Sequence, residues 1–324
     1  MIIALTYETP GDQPNVPGAE YKRNDTGRRL SPEELQAHMQ GCSALVSNFW
    51  DKVNEDLLTA APNLKIVCNF AVGFDNIDLD ACSRHGVLVC NTPDAVTEPT
   101  ADLGWTLLLG AARGISKLDR YARSSMYPER GPLGMCEFWG RDLTGRNLLI
   151  VGAGRIGFAM AMRSLGWGMP VRYVDEVRHA EFEHAPLHAQ RTSLEEGLPW
   201  ADFVSLHVPL TPATRHLIGA EQLARMKETA GLVNTARGPV VDEAALVEAL
   251  RGGKIYAAGL DVYEREPQLA AGLADLENVT LSPHVGSATE KHRLQMTQII
   301  ADNLIAFDEG RRPPTCLNFD AVSG

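Results

Sequence analysis

The stretch "NLLIVGAGRIG", residues 147–157, decides the reading of the chain. An apolar run ends in Val151, and Gly152-Ala153-Gly154-Arg155-Ile156-Gly157 follows without a spacer. A bare G-x-G-x-x-G is common in glycine-rich turns. Here the context is a βαβ unit: strand before, helix "RIGFAMAMRSLG" after, second strand "PVRYVD" beyond. In such a unit Gly152 permits the tight turn, Gly154 lets backbone N–H groups approach a pyrophosphate, and Gly157 lets helix and strand pack closely. Arg155 and Ile156 open the helix, whose N-terminal donors and dipole favour phosphate. Asp175 ends the second strand, where a carboxylate accepts from both ribose hydroxyls and repels a 2′-phosphate. The pattern predicts dinucleotide binding with NAD favoured over NADP, a preference that nearby Arg178 softens.

Outward from this loop, strand-like and helix-like runs alternate in both directions. Before it come the β-rich runs "MIIALTYE", "SALVSNF", "LKIVCNF" and "VLVCN". A helix opens at "SPEELQAHMQ" with Ser31, Pro32 and Glu34 in capping-box order. A long helix is expected from Thr97 to Tyr121, then an irregular loop at "YPERGPLGM". After the loop, "FVSLHVP", "GLVNTA", "KIYAAGLDV" and "NVTLSP" read as strands, and residues 290–309 as a closing helix. The repeated βα alternation predicts an α/β protein of two doubly wound, parallel-sheet domains. A length of 324 residues agrees, exceeding what one hydrophobic core usually serves.

In open α/β sheets, ligands bind beyond the carboxyl ends of the strands. "GLVNTAR" delivers Arg237 there, "GLDVYEREP" brings Asp261, Glu264 and Glu266, and "VTLSPH" ends in His284. Each alone has a plain explanation: a surface ion pair, a solvated loop, a histidine on a backbone carbonyl. Together, beside a hydride carrier, they suit reduction of a 2-oxo acid. The guanidinium binds the acid and polarises its carbonyl, the imidazolium donates the proton, and a carboxylate orients the imidazole and keeps it protonated.

The motifs "NFAVGFDNID", "NTPDAVTEPTADL", "VGAGRIG", "HVPLTPAT", "VNTARGPVVDEAAL", "GLDVYEREP" and "SPHVGSAT" together resemble the D-specific 2-hydroxyacid dehydrogenase family over essentially the whole length. The resemblance implies Arg237 and His284 as catalytic residues, with Glu266, directly before proline, as the glutamate. It implies a Rossmann coenzyme domain (98–285) inserted in a flavodoxin-like substrate domain (1–97 and 286–324), and a homodimer. Further coenzyme contacts carry over to Thr100, His207, Val208, Pro209, Thr235, Ala236, Asp261 and Gly286. The substrate carboxylate would be held by the backbone of Val72 and Gly73, and domain closure about the helix at 97–113 would exclude water.

Within the family, residues 69–113 most resemble glyoxylate/hydroxypyruvate reductases. Leu133 stands where those enzymes often place a tryptophan received by the partner subunit. Phosphoglycerate-type members carry basic residues around the substrate loop; Cys68, Asn69 and Phe70 disfavour a phosphorylated substrate. D-lactate, formate and phosphite dehydrogenases, and NADH-sensing corepressors without catalysis, are the alternatives on this scaffold.

A net charge of −11 argues against nucleic acid or an anionic membrane as partner. The most apolar window, 103–112, is too short to span a bilayer, and "MIIALTYETP" lacks the basic start of a signal peptide. Six cysteines without C-x-x-C spacing predict reduced thiols of a cytoplasmic protein and no metal site.

Overall fold

Short apolar runs build two parallel sheets in the computed structural model, which describes residues 1–11 and 13–323. The chain divides into two units, Met1–Val96 with Ser287–Gly324, and Thr97–Gly286.

The first unit begins with β1 (Ile2–Leu5), β2 (Glu20–Arg23), α1 (Pro32–His38), β3 (Ala44–Ser47), α2 (Glu55–Ala60), β4 (Ile66–Asn69), α3 (Leu79–Arg84) and β5 (Leu88–Cys90). Its strands lie in the order β2-β1-β3-β4-β5, the flavodoxin-like 2-1-3-4-5 arrangement. Strands β3, β4 and β5 are buried at every position, as a sheet covered on both faces requires. The capping box forms: Ser31 Oγ accepts from Glu34 N, and the Glu34 carboxylate accepts from Ser31 N. Strand β2 is polar and sits at the sheet edge, where one side of the ladder needs no partner; its sequence carries no strand signal.

The second unit contains α4 (Thr97–Arg113), α5 (Ile115–Arg123), α6 (Met126–Arg130), β6 (Leu148–Val151), α7 (Arg155–Arg163), β7 (Val171–Val174), α8 (Ala180–Glu183), β8 (Gln190–Arg191), α9 (Leu194–Trp200), β9 (Phe203–Leu206), α10 (Ala220–Arg225), β10 (Gly231–Asn234), α11 (Glu243–Arg251), β11 (Ala257–Leu260) and β12 (Val279–Leu281). Its sheet runs β12-β11-β10-β9-β6-β7-β8, all parallel. Counted from β6 this is the Rossmann order 3-2-1-4-5-6 with a seventh strand added. Alternate residues of β6 feed opposite cores. Leu148 and Ile150 join Tyr173 and Phe203, while Leu149 and Val151 join Leu206 and Leu232.

The expected helix from Thr97 to Tyr121 is two helices. It breaks at Gly114, which takes the left-handed conformation (φ 60°) that side-chain-bearing residues avoid. The segment read as an irregular loop holds the short α6 before becoming irregular. The two-residue β8 is polar and exposed at its edge, and carries no periodicity. The chain then returns to the first unit with α12 (Glu290–Asp308), which packs on β4, and α13 (Phe319–Ser323). Among the described residues no helix is long and apolar enough to cross a membrane, and no cluster of His, Cys, Asp and Glu could hold a metal ion.

Candidate active site

The glycine loop leaves β6 at the junction where chain order reverses, between β9 and β7. Gly152 has φ 97°, and a Cβ there would lie 2.7 Å from the His207 carbonyl carbon and from Val208 N. A Cβ on Gly157 would fall 2.1 Å from Gly152 O, so the helix can start this close only with glycine. Gly154 N-caps α7 without a side-chain cap, and the space above it is open. Arg155 and Ile156 form the first turn, whose backbone donors have no partners within the helix. Such an uncapped end facing open space is an anion cradle.

Asp175, just past β7, accepts from Ala153 N (2.8 Å) and Val177 N (3.2 Å). Burial pushes its carboxyl up, but these two amides and the nearby His179 outweigh it and hold it below the ordinary aspartate value. It is therefore anionic and aimed at the loop. On the other side of the loop, His207 N donates to Val151 O (2.7 Å) and His207 Nε2 meets Ser205 Oγ at 2.8 Å. Burial pushes the His207 imidazole down to about 3, so the ring is neutral, and its Nδ1 is buried without a partner. Val208 is half-buried, and exposed Pro209 accepts from Thr214 Oγ1 (2.6 Å). Thr235 Oγ1, past β10, is also buried without a partner. An open glycine cradle and two unsatisfied polar atoms fit a bound dinucleotide, which would supply the missing hydrogen bonds.

At the ends of β10, β11 and β12 the structure assembles the predicted polar residues. His284 Nδ1 lies 2.8 Å from Glu266 Oε2 and 3.1 Å from Oε1, and Glu266 Oε1 also accepts from Tyr263 N (3.0 Å). Burial raises the Glu266 carboxyl, but the bond and charge of His284, the Tyr263 amide and the charge of Arg237 hold it below its ordinary value. Glu264, the other candidate, points to His216 instead (2.8 Å). Arg237 enters on a turn clamped by Asn234, whose Nδ2 donates to Arg237 O (3.0 Å) while its Oδ1 accepts from Ala236 N (3.0 Å). Gly238 follows because a Cβ there would fall 1.9 Å from the Tyr263 carbonyl carbon. Arg237 and the loop bearing Glu266 can thus approach each other.

His284 has φ 56°, a left-handed conformation costing a non-glycine residue about 1–2 kcal/mol. Buried Asp261 over-determines it. Its Oδ1 accepts from Ser282 Oγ (2.6 Å) and Val285 N (2.9 Å), its Oδ2 from Gly286 N (2.8 Å), and its carbonyl from His284 N (2.8 Å). Asp261 is therefore the latch of the histidine loop. Gly286 sits tightly between Thr100 on α4 and Asp261; a Cβ would lie 3.2 Å from Thr100 Oγ1 and 3.3 Å from Asp261 Oδ2.

In the first unit, the loop after β4 has three consecutive carbonyls pinned. Ala71 O accepts from Thr92 N (3.0 Å), Val72 O from Asn91 Nδ2 (2.9 Å), and Gly73 O from Asn69 Nδ2 (2.9 Å). In a trans peptide the N–H points opposite its C=O, so the amides of Val72, Gly73 and Phe74 turn to the other side. Asn69 and Asn91 were missed by sequence reasoning. The signal lies in the twin endings "IVCN" and "LVCN", which place an asparagine at the same point of adjacent strands. Leu133 is half-buried, and Met135 and Trp139 in the same segment are 95% and 72% exposed.

A seven-stranded Rossmann sheet with a dinucleotide cradle and a histidine–glutamate pair at its carboxyl edge defines a nicotinamide-dependent oxidoreductase. Residues 105–286 match the NAD-binding domain of the D-isomer-specific 2-hydroxyacid dehydrogenases. The chain is 47% identical over 294 residues to the glyoxylate reductase of Korarchaeum cryptofilum (90% of this chain, 87% of the relative), and 46% identical over 298 residues to that of Thermococcus onnurineus (91% and 88%). Among solved structures, a Thermus thermophilus protein superposes with a TM-score of 0.88 at 38% identity, over 98% of this chain and 100% of that one. The NADPH-dependent glyoxylate/hydroxypyruvate reductase of Sinorhizobium meliloti, solved with NADP and malonate, gives 0.83 at 30%, over 98% and 96%. This chain belongs to the D-isomer-specific 2-hydroxyacid dehydrogenase family.

Proposed function

We propose that this enzyme reduces glyoxylate or hydroxypyruvate to the 2-hydroxy acid, the D enantiomer where the product is chiral, with NADH preferred over NADPH. The carrying observation is the 2.8 Å pair between His284 and Glu266, within the electrostatic reach of Arg237. Supporting the substrate class are the relatives named glyoxylate reductase at 46–47% identity. Supporting NADH is the anionic Asp175 at the end of β7.

Bound coenzyme supplies the hydride that reduces the carbonyl carbon. The residues of the chain prepare and complete that transfer. Arg237 binds the acid and draws electron density to the carbonyl oxygen. His284 Nε2 donates a proton to that oxygen, while Nδ1 stays bonded to Glu266. The amides of Val72 and Gly73 hold the substrate carboxylate without spending a side chain. Asp175 takes the ribose hydroxyls, Gly152, Gly154, Arg155, Ile156 and Gly157 the phosphates. Thr100, His207, Val208, Pro209, Thr235, Ala236 and Gly286 line the coenzyme, and Asp261 holds the histidine loop beside it.

The unit of function is a homodimer, supported by the exposed apolar residues Met135 and Trp139. A cytoplasmic setting is supported by six free thiols, four of them buried. NADH oxidation followed at 340 nm with a panel of 2-oxo acids tests the assignment. Glyoxylate and hydroxypyruvate should turn over fastest; NAD reduction by formate or phosphite in their place would replace it.

A further inference from the structure

We propose that His179 sets how strictly the coenzyme site excludes a 2′-phosphate, so that the choice between NADH and NADPH depends on pH. The inference rests on the coenzyme reading above and adds a specificity residue to it. His179 Nε2 lies 3.4 Å from Asp175 Oδ1, and His179 Nδ1 lies 3.4 Å from Glu181 Oε1. Nε2 is buried and has no well-directed hydrogen bond. A neutral imidazole has one N–H and one lone pair, so one of its nitrogens must turn a lone pair toward a carboxylate. Only the imidazolium offers an N–H to both.

The pair is held in place. His179 N donates to Tyr173 Oη (3.1 Å), and the ring packs edge-on against Tyr173 and Phe182. Asp175 is fixed by the amides of Ala153 and Val177. A proton gained by His179 therefore places a positive charge beside the carboxylate that repels a 2′-phosphate.

Other charged groups face the pair from the elements around it. From the turn after β7, Arg178 is paired with Glu183, whose carboxyl lies at about 2 through Arg178 and the Tyr173 hydroxyl. From β8, Arg191 donates to the carbonyl oxygens of Asp175 (2.8 Å) and Glu176 (2.7 Å). From α8 come Glu181 and Glu183, and His184 beyond them acts on Glu183. Histidine is the side chain that ordinarily changes charge between pH 5 and 8. Space does not oppose a phosphate. A cavity of ≈ 850 Å³ opens beside Asp175, lined by Arg178, Arg191, Glu183 and Glu196 among others. Charge decides admission, and His179 modulates that charge.

The test measures dissociation constants of NADH and NADPH by fluorescence from pH 5.5 to 8.5, for the wild type, His179→Gln and His179→Lys. In the wild type the ratio Kd(NADPH)/Kd(NADH) should fall about 3- to 10-fold more from pH 8.5 to 5.5 than in His179→Gln. The glutamine variant retains only the trend from the 2′-phosphate's own titration, which all three proteins share. His179→Lys should hold the ratio near its acidic value throughout. Parallel wild-type and glutamine curves, with NADH bound by both, would overturn the role of His179 and leave the coenzyme reading standing. Failure of the folded wild type to bind NADH would overturn both.

Discussion

Glu266 and His284 lie on separate loops, 18 residues apart in sequence, yet His284 Nδ1 sits 2.8 Å from Glu266 Oε2 and 3.1 Å from Oε1. The pairing orients the ring. Burial raises the Glu266 carboxyl, but the bond and charge of His284 help hold it below its ordinary value, so it stays anionic near neutrality. Glu266→Gln keeps the shape and removes the charge. kcat for 2-oxo acid reduction should fall by a factor of about 10 or more, with the NADH dissociation constant within about 2-fold of wild type. An unchanged kcat would show that the Glu266 charge does not assist the proton donor.

The proposed function gives Arg237 the task of binding the oxo acid. Arg237→Lys keeps a charge but loses the planar two-pronged donor. The oxo acid KM should rise by about 10-fold or more, with the NADH dissociation constant within about 2-fold of wild type. An unchanged KM would exclude Arg237 from substrate binding.

Asp261 accepts three hydrogen bonds with its carboxylate and is buried. Asp261→Asn turns an amide N–H₂ toward one of those donors, at a cost of about 1–3 kcal/mol. The melting temperature should fall by several degrees and kcat should fall with it, because the left-handed turn at His284 loses its brace. A variant as stable and as active as wild type would contradict the latch.

His207 has an imidazole pushed down to about 3 by burial. The folded chain therefore releases a proton that the unfolded chain binds below about 6.5. Stability is fully present above that value and lost as pH falls toward 3, at up to about 1.4 kcal/mol per pH unit from this group. His207→Gln should flatten the acid decline in melting temperature between pH 6.5 and 4.5. An identical slope in the variant would show that the histidine is solvated.

Much of this architecture was legible in the sequence because the candidate site residues sit at strand ends. Gly152, Asp175, Arg237, Glu266 and His284 each follow an apolar run, and parallel strands deliver their carboxyl ends to one edge. The strands that escaped notice, β2 and β8, are polar edges with no buried face to impose a pattern. The break at Gly114 was hidden inside a run of otherwise helical residues. Asp261 reads in sequence as a coenzyme contact, and only the fold shows its carboxylate engaged by Ser282, Val285 and Gly286. The pins from Asn69 and Asn91 were likewise out of reach, because they join residues by side-chain direction and not by periodicity.

The central claim is that His284 gives the substrate its proton, and His284→Asn tests it most directly. Asparagine tolerates the left-handed backbone (φ 56°) that alanine would strain, so the loop should keep its shape. In NADH-dependent reduction of glyoxylate, kcat should fall by a factor on the order of 10² or more while the NADH dissociation constant stays within about 2-fold. Turnover near the wild-type rate in a variant that still binds NADH would contradict the account.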